Sequence, residues 1–97
     1  METYVIMRRN GWRNPESFDV AAFASMSEVE RTPDEIAWIR SYLLAEPDGT
    51  LGTVCIYEAS SPEAVRSHAL RAGLPIDEIV KVADTIVVRP DSAAEAA

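Results

Sequence analysis

The sequence predicts an α+β domain with the element order strand, helix, strand, strand, helix, strand, on three observations. Four runs rich in β-branched and aromatic residues are interleaved with two stretches of three- and four-residue apolar spacing. The two central runs are separated only by a short Pro/Gly segment, which joins them as an antiparallel hairpin. The chain of 97 residues is long enough for one hydrophobic core and leaves no room for a second.

Thr3-Tyr4-Val5-Ile6-Met7-Arg8-Arg9 reads as the first strand, stopping at the turn dipeptide Asn10-Gly11. The first helix carries a stripe of Phe18, Ala21, Ala22, Ser25, Met26 and Val29, with Asp19, Glu28 and Arg31 on its other side. Two starts fit this helix: Asn14 as cap with Pro15 at the first helical position, or Ser17 as cap of a slightly later start. Its end lies before Pro33, which cannot donate to a continuing helix and restricts Thr32. Ile36 to Leu44 and Leu51 to Glu58 are the hairpin strands, linked through Glu46-Pro47-Asp48-Gly49-Thr50. The second helix is capped by Ser60 or Ser61, has Pro62 and Glu63 in its first turn and Arg71 near its end, and closes on Gly73. Glu78 to Val88 reads as the fourth strand. Residues 1–90 therefore form the domain, and residues 91–97, with little to bury, a flexible C-terminal tail.

This order is the ferredoxin-like plan, a four-stranded antiparallel sheet with two helices on one face. Strict alternation in the second strand sends Ala37, Ile39, Ser41 and Leu43 to one face and Trp38, Arg40, Tyr42 and Leu44 to the other, so both faces carry apolar groups. Helices bury only one of them. The other predicts a homodimer packed through the sheet.

Apolar residues make up 47% of the chain and charged ones 26%, the balance of a folded protein and too apolar for a disordered one. A net charge of −7 argues against a nucleic acid partner, which needs Lys and Arg gathered on one face. The single cysteine, Cys55, allows no disulfide within the chain, and the cytoplasm is the expected compartment. No stretch approaches the ~20 apolar residues of a membrane span, and the N-terminus lacks the pattern of a signal peptide.

His68, the only histidine, stands one turn after Ala64 and Val65, on or beside the apolar stripe of the second helix. It is either a core residue with one satisfied hydrogen bond or a ligand or acid/base group. Cys55 is either a small hydrophobe in an apolar strand or a soft metal ligand or reactive thiol. Trp38, Arg40, Tyr42 and Tyr57 form a polar-aromatic wall on one sheet face, lining a ligand pocket or a dimer contact. Arg8, Arg9 and Arg13, close together at the end of the first strand, either hold a carboxylate or phosphate or are simply solvated.

Three blocks of the second half carry a family resemblance: Trp38-Ile39-Arg40-Ser41-Tyr42, Val54-Cys55-Ile56-Tyr57-Glu58-Ala59, and the stretch from Pro62 through His68 and Gly73 to Pro75. In order and spacing they resemble the family of domain of unknown function 4242, which includes small actinobacterial nickel-binding proteins. The resemblance implies a ferredoxin-like fold, a dimer and, for some members, bound nickel, with His68 and Cys55 as the candidate metal ligands here. Where histidine-rich relatives place a further histidine after the helix-two glycine, this chain has Leu74. Two functions follow as expectations. One is a small dimeric binding protein, without catalysis, that holds nickel, another metal or a small molecule beside His68. The other is a cofactor-independent enzyme with a pocket between sheet and helices and His68 as acid/base.

Overall fold

Local side-chain chemistry sets the ends of both helices in the computed structural model, which describes residues 1–91. The elements are β1 (Glu2–Trp12), α1 (Pro15–Arg31), β2 (Ile36–Ala45), β3 (Leu51–Ala59), α2 (Pro62–Ala72) and β4 (Glu78–Lys81), in the predicted order. At the start of α1 both candidate caps act together. Asn14 Oδ1 accepts from the Ser17 amide at 2.9 Å, and Ser17 Oγ accepts from the Asn14 amide at 3.3 Å, a reciprocal capping box. Ser61 caps α2 by accepting from the Ala64 amide. Gly73 closes α2 in the left-handed region (φ 72°, ψ 32°), and Leu74 donates back to the Ala69 carbonyl at 2.8 Å.

The strands form one antiparallel sheet in the order β2-β3-β1-β4, the ferredoxin-like arrangement that the sequence predicts. Along β1 and β3 the inward positions pair as Tyr4 with Tyr57, Ile6 with Cys55, and Arg8 with Thr53, and all six are buried. Ile36, Ala59 and Val65 complete the core, with Val29, Trp38, Ala64, Ile76 and Ile79 packed against it.

Three expectations about the strands are corrected. β1 does not stop at Asn10-Gly11. It runs on to Trp12 through an irregularity in which Arg9, Asn10 and Gly11 stand against the single residue Gly52 of β3. Asn10 takes the left-handed conformation (φ 54°), and its side chain donates to Thr50 and Asp48. In β2, Trp38 pairs with Tyr57 and Arg40 with the next residue of β3, Ile56, so Ile39 is an extra, bulged residue. The bulge resets the alternation: Trp38 lies on the helix side with Tyr57, while Arg40 and Tyr42 lie on the outer face beside Ile56 and Val54. The wall of Trp38, Arg40, Tyr42 and Tyr57 is therefore split between two faces.

The fourth strand ends at Lys81 instead of Val88. Lys81 pairs with Tyr4 and the Val82 amide still donates to the Thr3 carbonyl, but β1 begins at Glu2 and offers no further partners. Ile86, Val87 and Val88 are 86%, 72% and 91% exposed. The segment passes over the outer face of the sheet to Asp91, whose carboxylate accepts from Arg40 and Tyr42. Asp91 is the first residue of the expected tail, and residues 92–97 lie outside the described ones.

The crossing of β1 over Gly52 is tight because Glu46 is folded underneath it. A Cβ at Gly52 would stand 2.5 Å from Glu46 Oε2 and 2.6 Å from the Arg8 carbonyl. Glu46 cannot easily retreat, since it accepts from Arg9 Nε, Arg9 Nη2 and the Asn10 amide at 2.8 to 3.0 Å. Gly52→Ala is expected to cost about 1–3 kcal/mol by overpacking, measured as a lowered urea midpoint with an unchanged m-value.

Candidate functional site

The site is built where the inward face of the sheet meets α1 and α2. Tyr57, on the central strand β3, points its hydroxyl at Ser25 of α1, Oη to Oγ 2.8 Å. Ser25 Oγ is also 3.0 Å from Nε2 of His68 on α2. Tyr57, Ser25 and His68 are each 98–99% buried. Sequence periodicity already places His68 over the core; what the structure adds is that its bonded partner is a serine on the other helix.

Burial holds the His68 imidazole neutral, pushing its pKa down from 6.5 to about 4; the charges of Arg8 and Arg71 act in the same direction, and Glu28 opposes them. His68 Nδ1 has no hydrogen-bond partner within the protein. A buried N–H without an acceptor is the costlier orphan, so the proton belongs on Nε2, donating to Ser25 Oγ, and Nδ1 carries a bare lone pair. Burial also pushes the Tyr57 hydroxyl up, against the Ser25 hydrogen bond and the Arg8 charge, so Tyr57 stays a neutral donor at ordinary pH.

Arg8 is the second part of the site, and it is 1% exposed. Its Nε donates to the Pro75 carbonyl at 2.7 Å and its Nη1 to Cys55 Sγ at 3.2 Å, while Nη2 meets no acceptor of the protein. Among the described residues no carboxylate pairs with it. Arg9, by contrast, is engaged by Glu46 at 2.8 Å, and Arg13 is exposed. Arg8 and Cys55 line a small cleft between α1 and the sheet, together with Ser25, Trp38, Tyr57 and Ala22. Trp38 stacks on Tyr57 there, with centroids 6.0 Å apart and planes 8° apart, and fixes its indole by donating to Ser41 Oγ at 2.8 Å. Trp12 and Phe18 meet edge to face at the other end, 5.3 Å apart. The space within the cleft is about 10 Å³, room for one water-sized group.

Of the ligand residues expected from the sequence, Trp38 and Tyr57 are brought together in this cleft, and Arg40 and Tyr42 are on the opposite face holding Asp91. Of the expected metal ligands, Cys55 is bonded to Arg8, and no hydrogen bond joins it to His68. Within one chain these residues do not fit a nickel ion. His68 offers a single nitrogen, a guanidinium stands against the thiol, and among the described residues there is no group of three or more His, Cys, Asp and Glu able to hold a metal. Ser25 escapes the sequence reading as a site residue, and Arg8 is read there only as one of three arginines that either hold an anion or are solvated. Ser25 is a polar interruption of an apolar helical stripe, which is the signal that could have found it. Arg8 shares the inward parity of Tyr4 and Ile6, which marks it as buried rather than solvated.

Fold and site together define a small α+β protein with a polar cluster enclosed between its sheet and its helices. The chain belongs to a family described as nickel responsive protein SCO4226-like, whose model matches residues 4–82. That family is closely related to the one the sequence resembles. No curated protein matches at a significant level. The crystal structure of SCO4226 from Streptomyces coelicolor A3(2) is similar at a TM-score of 0.67 and 24% identity, over 87% of this chain and 99% of that one, a likeness of fold. The structure of Rv0793 from Mycobacterium tuberculosis aligns at a TM-score of 0.40 and 15% identity, over 92% and 100% of the two chains. No helix among the described residues is long and apolar enough to cross a membrane.

The depressed imidazole pKa sets a pH dependence. Above pH 6.5 both folded and unfolded chains hold the ring neutral, and His68 contributes no slope. As pH falls from 6.5 toward 4 the unfolded chain takes up the proton and the folded one does not, so stability drops, by up to roughly 3 kcal/mol. Glu46, Asp48 and Asp91, whose hydrogen bonds hold them below the usual carboxylate range, lose their contribution at lower pH still. Melting temperature against pH is expected to fall across the upper window in the parent and to be flat there in His68→Gln.

Proposed function

We propose that this chain is a small homodimeric binding protein that takes its ligand in the cleft between α1 and the sheet and catalyses no reaction. The observation that carries this reading is the concentration of buried polar groups around one cleft: Arg8 Nη2, the Tyr57 and Ser25 hydroxyls and the Cys55 thiol, set among Trp12, Phe18 and Trp38. A few fixed polar groups in an apolar slot are the usual composition of a small-ligand site. The enzyme reading is weaker on two counts. His68 stands behind Ser25 and does not line the cleft, and with its pKa near 4 it is a poor proton acceptor at neutrality. Support for the dimer comes from the outer face, where Tyr42 and Val80 are 42% and 45% exposed and Val5, Met7, Val54 and Ile56 are only half-buried.

A second reading keeps nickel. It is favoured by membership of a nickel responsive family and by the bare Nδ1 of a neutral His68, the form of imidazole that binds a metal. It requires donors beyond those that one chain brings to His68. Native mass spectrometry before and after nickel loading separates the readings. The expected result is a dimer without stoichiometric nickel. A dimer that takes up nickel and loses it in His68→Ala replaces the first reading with the second, and a monomer removes the dimer. Ligand-observed NMR with small aromatic acids, amides and alcohols tests the cleft itself: binders are expected to be lost in Ala22→Phe, which fills it.

A further inference from the structure

We propose that the ligand of this cleft is a small organic monocarboxylate, its carboxylate held by the Arg8 guanidinium and its apolar body lying between Trp38 and the Ala21-Ala22 face of α1. The proposal rests on the cleft being a ligand site and adds the ligand's class.

The first argument is charge. Arg8 carries a permanent cation into a place 99% removed from solvent, and no carboxylate of the described residues neutralises it. Proteins rarely leave a buried charge uncompensated, because neither water nor a counter-ion then repays its lost hydration. Of the three arginines at this end of β1, Arg9 is taken by Glu46 and Arg13 is at the surface, so Arg8 alone is free to receive an anion.

The second argument is geometry. Two of the guanidinium's contacts are fixed, Nε on the Pro75 carbonyl and Nη1 on Cys55 Sγ, so the plane of the group is held from both sides. Nη2, buried and bonded to no protein atom, is left as a donor of two hydrogens. A planar carboxylate matches an arginine fork. Tyr57 and Ser25, neighbours in the same cleft, supply hydroxyls for its second oxygen.

The third argument selects among anions. One guanidinium balances one negative charge, and apart from the polar cluster the lining is apolar: Trp12, Phe18, Ala21, Ala22, Trp38 and Leu74. A phosphate dianion would find one cation and too few donors. A metal ion would meet the same cation and be repelled. The space of about 10 Å³ within the cleft accepts only the head of the ligand as the helix now lies, so the body enters as the Ala21-Ala22 turn of α1 yields, while Ser25, one turn further on, keeps its bonds to Tyr57 and His68. α1 is suited to this. It packs more extensively on α2 than on any strand, and it meets the cleft through the small side chains of Ala21 and Ala22.

The test is a tryptophan-fluorescence titration of the full chain, read from Trp38 and Trp12, with calorimetry alongside, using propionate and benzoate, the neutral isosteres propionamide and benzamide, and sodium chloride at matched ionic strength. Arg8→Met, which replaces the buried charge with an apolar side chain of similar length, is the matching variant. The expected result is saturable carboxylate binding, tighter than that of the amides by about tenfold or more, as a charge-assisted pair requires, and lost in a folded Arg8→Met. Amides binding as tightly as carboxylates overturn the carboxylate class and leave the cleft reading standing. No response to any organic probe overturns both. Chloride matching the carboxylates shows a site for simple ions and overturns the proposal. Where Arg8→Met does not fold, the comparison of acid with amide on the parent decides.

Discussion

Ser25 Oγ is the atom at which the three layers of the structure meet. It reaches Tyr57 on the central strand and His68 on the second helix, while its own backbone belongs to the first. His68 Nε2 has Ser25 as its one hydrogen-bond partner among the described residues, so a displacement of α1 at Ser25 would orphan the imidazole and break the bond to Tyr57 together. Apolar packing alone would let α1 slide, since much of its surface stays exposed, with Val20 and Phe23 at 72%. The hydrogen-bonded chain, more than contact area, sets where α1 sits, and it limits the movement available to the cleft beside it.

Arg8 governs the electrostatics of that interior. A guanidinium held by a carbonyl and a thiol keeps its full charge, and this charge helps hold His68 neutral and stands against Cys55. The interior of this chain thus favours anions and disfavours cations. That has a consequence for a member of a nickel responsive family. The neutral imidazole has the chemistry of a metal ligand, yet the arginine nearest to the other soft donor works against a dication in the same place. Family membership favours nickel, and the buried Arg8 charge beside Cys55 opposes a dication there.

The element order, the caps of both helices and the hairpin are legible in the sequence because each rests on residues with one strong local preference: Asn14 and Ser17, Ser61, Gly73, and the Pro47 to Gly49 loop. What is not legible arises from pairing. Asn10-Gly11 has the chemistry of a turn, and the left-handed φ of Asn10 honours it, but Thr50 and Glu46 supply partners that keep the chain in the sheet. The Ile39 bulge has no signature in β2 itself, since it exists only relative to the register of β3. Val82 to Val88 has strand composition and no strand opposite. The same blindness governs the site. His68 over the core follows from periodicity and Arg8 is an anion-holding candidate from its neighbours, whereas the role of Ser25, and the choice of Arg8 over Arg9 and Arg13, appear only once three elements are brought together.

The bulge at Ile39 has a further structural effect. By turning Arg40 and Tyr42 outward it gives the outer face two donors at the β2 edge, and both converge on the Asp91 carboxylate at the far end of a segment that leaves the sheet from the opposite edge, β4. The segment is therefore tied at both ends and bridges the sheet without filling the space beneath it, where a cavity of about 490 Å³ remains over Thr3 and Ile56. Its apolar residues Ile86, Val87 and Val88 stay largely exposed, Ile86 and Val87 lining that cavity. An exposed pair such as Arg40 and Asp91 contributes little stability, so its effect is positional. It fixes where the apolar triplet is presented, and does so on the one face of the sheet that the helices leave uncovered.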